Sequence, residues 1–216
     1  MRSRREPIRR WRLGIALSCL AIVLVSCAST GQRASADEIP KAPVPPAAPA
    51  VVLLDFNDAG DVAGWTTVND PVMGGRSTSE VTFGGGGLMF SGTISLENNG
   101  GFASARGPAD PDIGRKAAGA TSLLVRALGD GKTYVLRVGV GGQPWSYIQR
   151  FSTEAGVQRI YELPIEGFQP VGMRLDPAPN APQVLDPSSI SEVSVYILDK
   201  QQGPFALTIR GIDATG

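Results

Sequence analysis

The chain contains no histidine, and both of its cysteines lie within the first 27 residues. The absence of histidine excludes a Ser-His-Asp triad, a histidine general base and histidine-ligated zinc or iron sites. Because no cysteine follows Cys27, the rest of the chain has no internal disulfide, cysteine nucleophile or thiolate metal site. No metal and no cofactor are expected.

The carboxylates give no sign of a paired catalytic site. Asp55, Asp58, Asp70, Asp130 and Asp199 are dispersed along the sequence, and spacing alone pairs none of them. A glycosidase needs two carboxyl groups at a defined separation. The sequence therefore favours a protein that is not an enzyme, although composition alone leaves catalysis by carboxylates, lysine, tyrosine or a Ser-Lys pair open.

Basic residues are scarce beyond the N-terminus. Six of the 20 Lys and Arg residues and one of the 20 Asp and Glu residues lie within residues 1–26, which leaves 14 basic and 19 acidic residues. The resulting net charge of about −5 argues against a nucleic-acid partner, because phosphate binding needs a basic patch. It also argues against a polybasic surface that binds anionic lipids.

The N-terminus has the pattern of an export signal. A segment with six arginines precedes an apolar run from Leu13 to Val25. A helix that crosses a bilayer core needs about 20 apolar residues, so this shorter run fits a signal peptide better than a permanent span. Leu24-Val25-Ser26-Cys27 resembles a bacterial lipobox, in which a small residue precedes a cysteine that is lipidated and becomes the mature N-terminus.

This pattern divides the chain into three segments. We expect a lipoprotein signal peptide at residues 1–26, a Pro/Ala-rich extended tether at residues 27–50 and one folded domain at residues 51–216. The expected location is the cell envelope, lipid-anchored and outward or periplasm-facing. In a Gram-negative cell the outer membrane is expected, because Ala28 rather than aspartate follows Cys27. The alternative is an uncleaved N-terminal membrane anchor in which Cys27 is incidental.

Beyond the tether, short segments alternate between apolar and polar residues. In residues 134–140 and 193–197 the aliphatic residues fall on one face, with Arg137 opposite in the first segment and Ser194 and Tyr196 opposite in the second. Alternation with a period of two is typical of strands that are buried on one face. Further strands are predicted at residues 51–56, 79–83, 88–96, 101–106, 122–128, 147–151, 158–163 and 205–210.

Turn signals separate these segments. Asp130-Gly131, Asn99-Gly100 and the run Gly84–Gly87 are the strongest of them, and only residues 112–118 have a helical pattern. About ten short strands without a helix long enough for a βαβ crossover indicate an antiparallel architecture. The predicted fold class is all-β, as a sandwich or barrel.

Four stretches carry less generic combinations of residues. They are residues 65–77, with Trp65, Asn69-Asp70, Met73-Gly74-Gly75-Arg76 and Ser77; residues 90–104, with Gly100-Gly101-Phe102; residues 129–134, with Gly129-Asp130-Gly131 and Tyr134; and residues 199–205, with Lys200-Gln201-Gln202-Gly203-Pro204-Phe205. In this order they resemble the family of complex I intermediate-associated protein 30, an assembly factor of mitochondrial NADH:ubiquinone oxidoreductase. The resemblance extends over residues 51–212. It implies a jelly-roll β-sandwich of the galactose-binding-domain-like type and a non-enzymatic role in assembling a membrane respiratory complex.

The loop at residues 69–77 is the first candidate for a partner-binding site. Its paired glycines allow a positive φ and a close backbone approach, and Asn69 and Asp70 are able to cap the loop. The loop is either a structural turn packed over Trp65 or a recognition loop that presents its side chains to a protein partner. The partner-binding set is then Trp65, Asn69, Asp70, Met73, Gly74, Gly75 and Arg76, together with Lys200 and Gln201.

The other motif segments also have structural and functional interpretations. Gly100-Gly101-Phe102 is typical of a bulge beside a core aromatic residue, with a ligand platform as the alternative. Asp130-Gly131 predicts a hairpin turn. Residues 199–202 are predicted to be either a solvated hairpin loop or a polar contact surface, and the second interpretation places Lys200 and Gln201 in the partner-binding set.

A carbohydrate-binding module is the second functional hypothesis. Sugar sites combine exposed aromatic rings that stack on the sugar with polar groups that satisfy its hydroxyls. Trp145 and Tyr147, next to the Gly-rich residues 141–144 and followed by Gln149, are the candidates. Fold analogy alone supports this hypothesis. The leading prediction is therefore a binding or assembly module for a protein partner, with a sugar ligand second and an enzyme third.

Overall fold

The strands lie in two antiparallel sheets that pack face to face. The computed structural model describes residues 49–216, so Cys27, the predicted signal peptide and most of the predicted tether lie outside the described residues. The strands are β1 (Val51–Asp55), β2 (Thr66–Asn69), β3 (Thr78–Gly84), β4 (Gly87–Ile94), β5 (Ala103–Arg106), β6 (Ser122–Leu128), β7 (Thr133–Val140), β8 (Ser146–Ser152), β9 (Gln158–Pro164), β10 (Gln169–Val171), β11 (Ile190–Ile197) and β12 (Gly203–Thr215).

Helical segments in the described residues are short. The α-helices are α1 (Ala59–Val62) and α2 (Asp112–Ala117), and the second confirms the predicted helical turn. Single 3-10 turns occupy Asp70–Met73, Glu97–Asn99, Ile165–Gly167 and Pro187–Ser189. Within residues 49–216, no helix is long and apolar enough to cross a membrane.

The two sheets share the twelve strands equally. Sheet A has the order β3-β4-β12-β6-β9, with β1 also paired to β12, and sheet B has the order β10-β8-β7-β11-β5-β2. The 13-residue strand β12 pairs with β4 along its first half and with β1 along its second half. Each described pairing between these strands is antiparallel, so the predicted all-β sandwich is confirmed.

The turn signals predict the positions at which the chain turns. They do not predict which strands each turn connects. Gly85 and Gly86 have φ of 62° and 74°, and they close the β3–β4 hairpin as expected. The hairpin predicted at Asp130-Gly131 is wrong, because this turn carries the chain from β6 in sheet A to β7 in sheet B. Residues 199–202 likewise cross from β11 in sheet B to β12 in sheet A.

The main core lies between the sheets and is rich in aromatic contacts. Phe90 of β4 packs edge to face against Phe205 of β12, with ring centroids 4.9 Å apart. Phe56 and Trp65 form a second edge-to-face pair at 5.4 Å. Burying each such ring stabilises the fold by roughly 1.5–3 kcal/mol. Because only 8% of Trp65 is exposed, this tryptophan is a core residue.

Sheet B is also partly covered on its outer face. A second apolar cluster there consists of Val135, Ile148, Val171 and Tyr196. The segment after β10 lies against this cluster through Leu175, and a bridge between Val171 and Pro177 closes the segment. The alternation in β11 predicts an exposed face at Tyr196, but this residue is only 5% exposed because the segment covers it.

Candidate functional site

An open groove lies on the outer face of sheet B, beside the second cluster. It encloses about 730 Å³, within the range of about 300–1,000 Å³ that ligand sites have. Its apolar lining consists of Val68, Phe102, Met173, Leu175, Tyr196 and Leu198. The guanidinium groups of Arg106 and Arg174 complete the lining, and no described carboxylate belongs to it. The groove therefore combines an apolar surface with positive charge.

Neighbouring strands hold Arg106 in a defined position. Its Nε donates a hydrogen bond of 3.2 Å to Ser104 Oγ, and Ser104 Oγ donates one of 2.8 Å to the Val68 carbonyl. Its guanidinium carbon lies 5.6 Å from the centre of the Tyr196 ring, which is cation–π geometry. None of the ion pairs between described residues includes Arg106. The terminal nitrogens of the guanidinium are therefore free to bind an anion.

The loop after β10 forms one wall of the groove. Met173 at its tip is 87% exposed, and Arg174 is exposed beside it. Leu175 has a φ of 61°, a conformation that costs a non-glycine residue about 1 kcal/mol or more. Two backbone hydrogen bonds hold the loop: the Gly172 N–H donates to the Asp176 carbonyl over 2.8 Å, and the Leu175 N–H donates to the Gly172 carbonyl over 3.1 Å.

Asp70 forms a buried hydrogen-bond cluster next to the groove. Only 2% of this residue is exposed. Its carboxylate accepts the backbone N–H groups of Ser77 (2.8 Å), Gly101 (2.6 Å) and Phe102 (3.2 Å), and the Ser77 hydroxyl as well. Burial raises the pKa of Asp70, but these hydrogen bonds outweigh burial and hold the pKa below its usual value. We call these four residues the Asp70 cluster.

The motif glycines leave room for the Asp70 carboxylate. A Cβ atom on Gly75 would collide with the Asp70 side chain, and one on Gly100 would come within 2.7 Å of Asp70 Oδ2. Gly74 has a φ of 90°, which glycine adopts without strain. The Met-Gly-Gly and Gly-Gly-Phe motifs therefore pack around one buried charge. The same hydrogen bonds fix the backbone of Phe102, whose side chain lines the groove.

Asp130 forms a second cluster between the sheets. Its carboxylate accepts the Tyr134 hydroxyl at 3.1 Å, the Ala206 N–H at 2.9 Å and the Lys132 N–H at 3.0 Å. Burial, and then the charge of the neighbouring Asp130, raise the pKa of the Tyr134 phenol. Tyr134 therefore stays protonated and donates to Asp130.

Gln201 clamps the crossover between β11 and β12. Its amide oxygen accepts the Thr133 N–H at 2.9 Å, and its amide nitrogen donates to the carbonyls of Thr133 and Leu198 at 2.7 and 3.0 Å. Gln201 is thus committed to the fold rather than to a polar contact surface. Because the Leu198 side chain lines the groove, this clamp also positions a groove residue.

Comparison with known proteins identifies the family. A family model described as complex I intermediate-associated protein 30 matches residues 54–209. The chain belongs to the complex I intermediate-associated protein 30 family. The resemblance inferred from the motifs is confirmed. No curated protein matches the chain.

Carbohydrate-binding modules are among the solved structures similar to this family member. The family 11 module of the cellulosomal cellulase Lic26A-Cel5E of Clostridium thermocellum has a TM-score of 0.54 and 14% identity, covering 79% of this chain and 96% of that one. The Clostridium thermocellum family 11 module in complex with a β-1,3-1,4-mixed-linked tetrasaccharide has a TM-score of 0.53 and 14% identity, covering 77% and 95%. At this identity the similarity shows a shared fold, the jelly-roll sandwich predicted from the family resemblance.

Two residues of the predicted partner-binding set are buried in this family member. Trp65 belongs to the core, and Asp70 is enclosed by its cluster, so the expectation that these side chains meet a partner is wrong. Asn69 is half-buried, and its side-chain amide lies 2.6 Å from the Ser79 hydroxyl of β3, an interaction that ties sheet B to sheet A.

The exposed members of the set lie apart from the groove lining. Arg76 forms an exposed ion pair with Glu97 at 3.1 Å, and the Gly74 carbonyl accepts a hydrogen bond from the Asn98 amide. Lys200 is exposed in the crossover, with a φ of 54°. The side chain of Met73 lies outside what the structure describes. A role for these residues in partner binding stays a prediction.

The predicted sugar-binding residues do not form an exposed platform. Tyr147 is 2% exposed, and its hydroxyl donates to the Pro182 carbonyl at 2.9 Å. Trp145 packs against the core, and Gln149 is half-buried over Gly167. Trp145 directly precedes β8, and Tyr147 and Gln149 lie on it. Residues two positions apart on a strand share a face, so this spacing itself indicates the face that packs on the core. The prediction of a stacking surface at these residues is wrong.

The sequence contained one usable signal for the groove. The signal is the presence of large side chains at outward-facing positions, where small polar residues would suit an exposed face. These side chains belong to Arg106 on β5, Tyr196 on β11 and Leu198, which directly follows β11. Phe102 was expected to be a core aromatic residue, but it is half-buried and lines the groove. Within residues 49–216, no group of three or more Asp, Glu, His or Cys residues is placed to hold a metal ion.

Proposed function

We propose that this chain is a non-enzymatic binding module that holds a protein partner in the groove of sheet B while a membrane complex assembles. The observation that carries the proposal is the groove itself, which offers an apolar lining and two guanidinium groups. Interfaces with protein partners are enriched in aromatic residues, methionine and arginine, and this lining contains all three. Membership of a family named for a complex I intermediate supports an assembly role.

The predicted lipid on Cys27 would place the module on the outer side of a membrane. The NADH-oxidising arm of bacterial complex I faces the cytoplasm. We therefore propose that the partner is a periplasm-facing subunit of a complex I-like respiratory complex, or a subunit of another envelope complex. The tether at residues 27–50 would let the module reach such a subunit from its membrane anchor.

A carbohydrate ligand is the second candidate. It is favoured by the similar fold of a module in complex with a tetrasaccharide and by two aromatic rings, Phe102 and Tyr196, in the groove. Sugar hydroxyls need both donors and acceptors, however, and the groove side chains supply guanidinium donors and one tyrosine hydroxyl. Arg106 also lies over the Tyr196 ring, where a sugar would stack. The lining therefore fits a protein segment better than a sugar.

The proposal is tested by affinity purification of the full chain from solubilised membranes. Leu198→Asp places a charge in the groove, and Ile160→Asp is its matched control on the outer face of sheet A, where Ile160 is 62% exposed. Thermal unfolding checks that both variants fold. We expect the wild type and the Ile160 variant to retain the same partner and the Leu198 variant to lose it. Equal recovery by all three would contradict the proposal.

A glycan array distinguishes the second candidate. We expect no saturable binding of the full chain to any glycan. A signal that Phe102→Ala abolishes and Ile160→Ala preserves would instead support a sugar ligand in the groove.

A further inference from the structure

The charge of the groove differs from that of the rest of the domain. Beyond the predicted signal peptide the chain has more acidic than basic residues. The groove nevertheless has two guanidinium groups and no carboxylate among its described lining residues. Neither Arg106 nor Arg174 takes part in an ion pair between described residues. Positive charge is therefore concentrated where the apolar surface is open.

We infer that the groove recognises an acidic-apolar protein segment, one that presents a carboxylate next to a bulky apolar side chain. This inference rests on the proposed function and specifies the chemistry of its partner. It is carried by charge complementarity between a carboxylate and Arg106 and Arg174, combined with the apolar lining beside them.

The position of Arg106 fits a carboxylate ligand. Ser104 holds the guanidinium through its Nε atom and the Tyr196 ring lies beneath its central carbon, and no described residue accepts a hydrogen bond from its terminal nitrogens. A guanidinium presents parallel donors that match the two oxygens of a carboxylate. Because the contacts to Ser104 and Tyr196 already fix the side chain, little further conformational entropy is lost when the ligand binds.

The apolar lining fits the bulky apolar side chain that the inferred segment presents next to its carboxylate. Phe102 and Leu198 are half-buried on the open side of the groove, and Met173 is almost fully exposed at its rim. An apolar side chain that enters between them removes all three from water, and this burial supplies a favourable free energy of binding. It also lowers the local dielectric around the guanidinium groups, which strengthens the ion pairs.

A protein segment suits this site better than an anionic membrane surface. Binding to anionic lipids uses clusters of about four to eight basic residues, whereas the groove has two and the domain as a whole is acidic. Vesicle binding is therefore a separate outcome of the test.

The test uses the full chain in detergent and a fluorescent six-residue peptide that alternates leucine and glutamate. Its matched peptides replace glutamate with glutamine or with lysine. We expect the wild type to bind the glutamate peptide about tenfold more tightly than the glutamine peptide, because charge-assisted hydrogen bonds are lost with glutamine. Arg174→Glu should abolish the preference for the glutamate peptide, because the new carboxylate offsets the charge of Arg106, which remains in the groove. Arg174 is exposed, so this reversal of charge leaves the core intact.

The control variant is Arg159→Glu, which reverses an exposed charge on β9, in the other sheet. It should keep the preference for the glutamate peptide. Four outcomes would each overturn the inference: equal binding of the glutamate and glutamine peptides, no binding of either, equal effects of the two arginine variants, or binding only to phosphatidylglycerol vesicles.

Failure of the inference can be distinguished from failure of the proposed function. If the wild type shows no preference among the peptides but Leu198→Asp still loses the partner, the inference fails and the proposed function stands. If partner recovery does not depend on Leu198, the proposed function itself fails.

Discussion

The backbone N–H of Gly101 donates a 2.6 Å hydrogen bond to the carboxylate of Asp70, 31 residues earlier in the chain. Ser77 and Phe102 donate to the same carboxylate, so two motif segments close around one buried charge. Phe102 is also one of the residues that line the groove. The family motifs at these positions therefore build the support of the groove, while most residues of the groove lie outside the motifs.

Asp70→Asn should destabilise the protein strongly. The substitution removes the charge that accepts four hydrogen bonds and leaves buried donors poorly satisfied, so the free energy of unfolding should fall by about 2–4 kcal/mol. Urea denaturation measures this. The control is Asp112→Asn, which breaks an exposed ion pair with Arg115 and should leave the free energy of unfolding almost unchanged, because solvent screens exposed charges. Comparable losses for the two variants would refute a supporting role for Asp70.

The contribution of Asp70 should depend on pH. Hydrogen bonds hold its folded-state pKa below the unfolded value of about 3.9. The unfolded state therefore binds more protons in the window between the two values, and stability falls as the pH falls through the folded-state pKa. Urea denaturation at about pH 6 and about pH 3 should show that the stability difference between wild type and Asp70→Asn narrows in acid. If the difference in stability between wild type and Asp70→Asn is the same at both pH values, the Asp70 carboxylate is not the source of the pH dependence.

Gln201 and Lys200 should behave differently although they are neighbours. Gln201→Ala removes three hydrogen bonds to the backbone of Thr133 and Leu198, so it should lower the free energy of unfolding by about 1–3 kcal/mol. Lys200→Ala removes an exposed side chain and should change stability by less than about 0.5 kcal/mol. Thermal unfolding of the pair checks this, and equal effects would mean that the clamp is not formed.

The sequence predicts the sandwich well because its signals are local. Alternation along a strand depends on the strand alone, so the inner face of β7 and the hairpin at residues 84–87 could be assigned without tertiary information. Sheet membership is not local, so turn rules predict a hairpin at Asp130-Gly131, whereas this turn links the two sheets.

The candidate site was harder to predict because distant segments create it. The loop at residues 172–176 covers part of an outward face that alternation predicts to be exposed, and the groove forms beside it. The burial of Asp70 likewise depends on Gly101, which no turn rule links to it. The orientation of Trp145 and Tyr147, by contrast, could be predicted from the sequence, because their spacing of two already indicates a shared inward face.

The lipid on Cys27 is an independent prediction. Cells grown with a radioactive fatty acid should label the wild-type chain and not a Cys27→Ser variant, because the lipid is attached through the thiol. Cys19→Ser is the matched control and should keep the label. Unchanged labelling of the Cys27 variant would leave the outward-facing location without support.

Site-specific photo-cross-linking tests the groove most directly. A photoreactive phenylalanine analogue replaces Phe102, which lines the groove, or Ile160, which lies on the outer face of sheet A. After irradiation of intact cells, the account predicts one discrete cross-linked protein from position 102, lost when Arg174→Glu is added, and none from position 160. Cross-linking of the same protein from position 160, or none from position 102, would contradict the assignment of the groove as the partner-binding site.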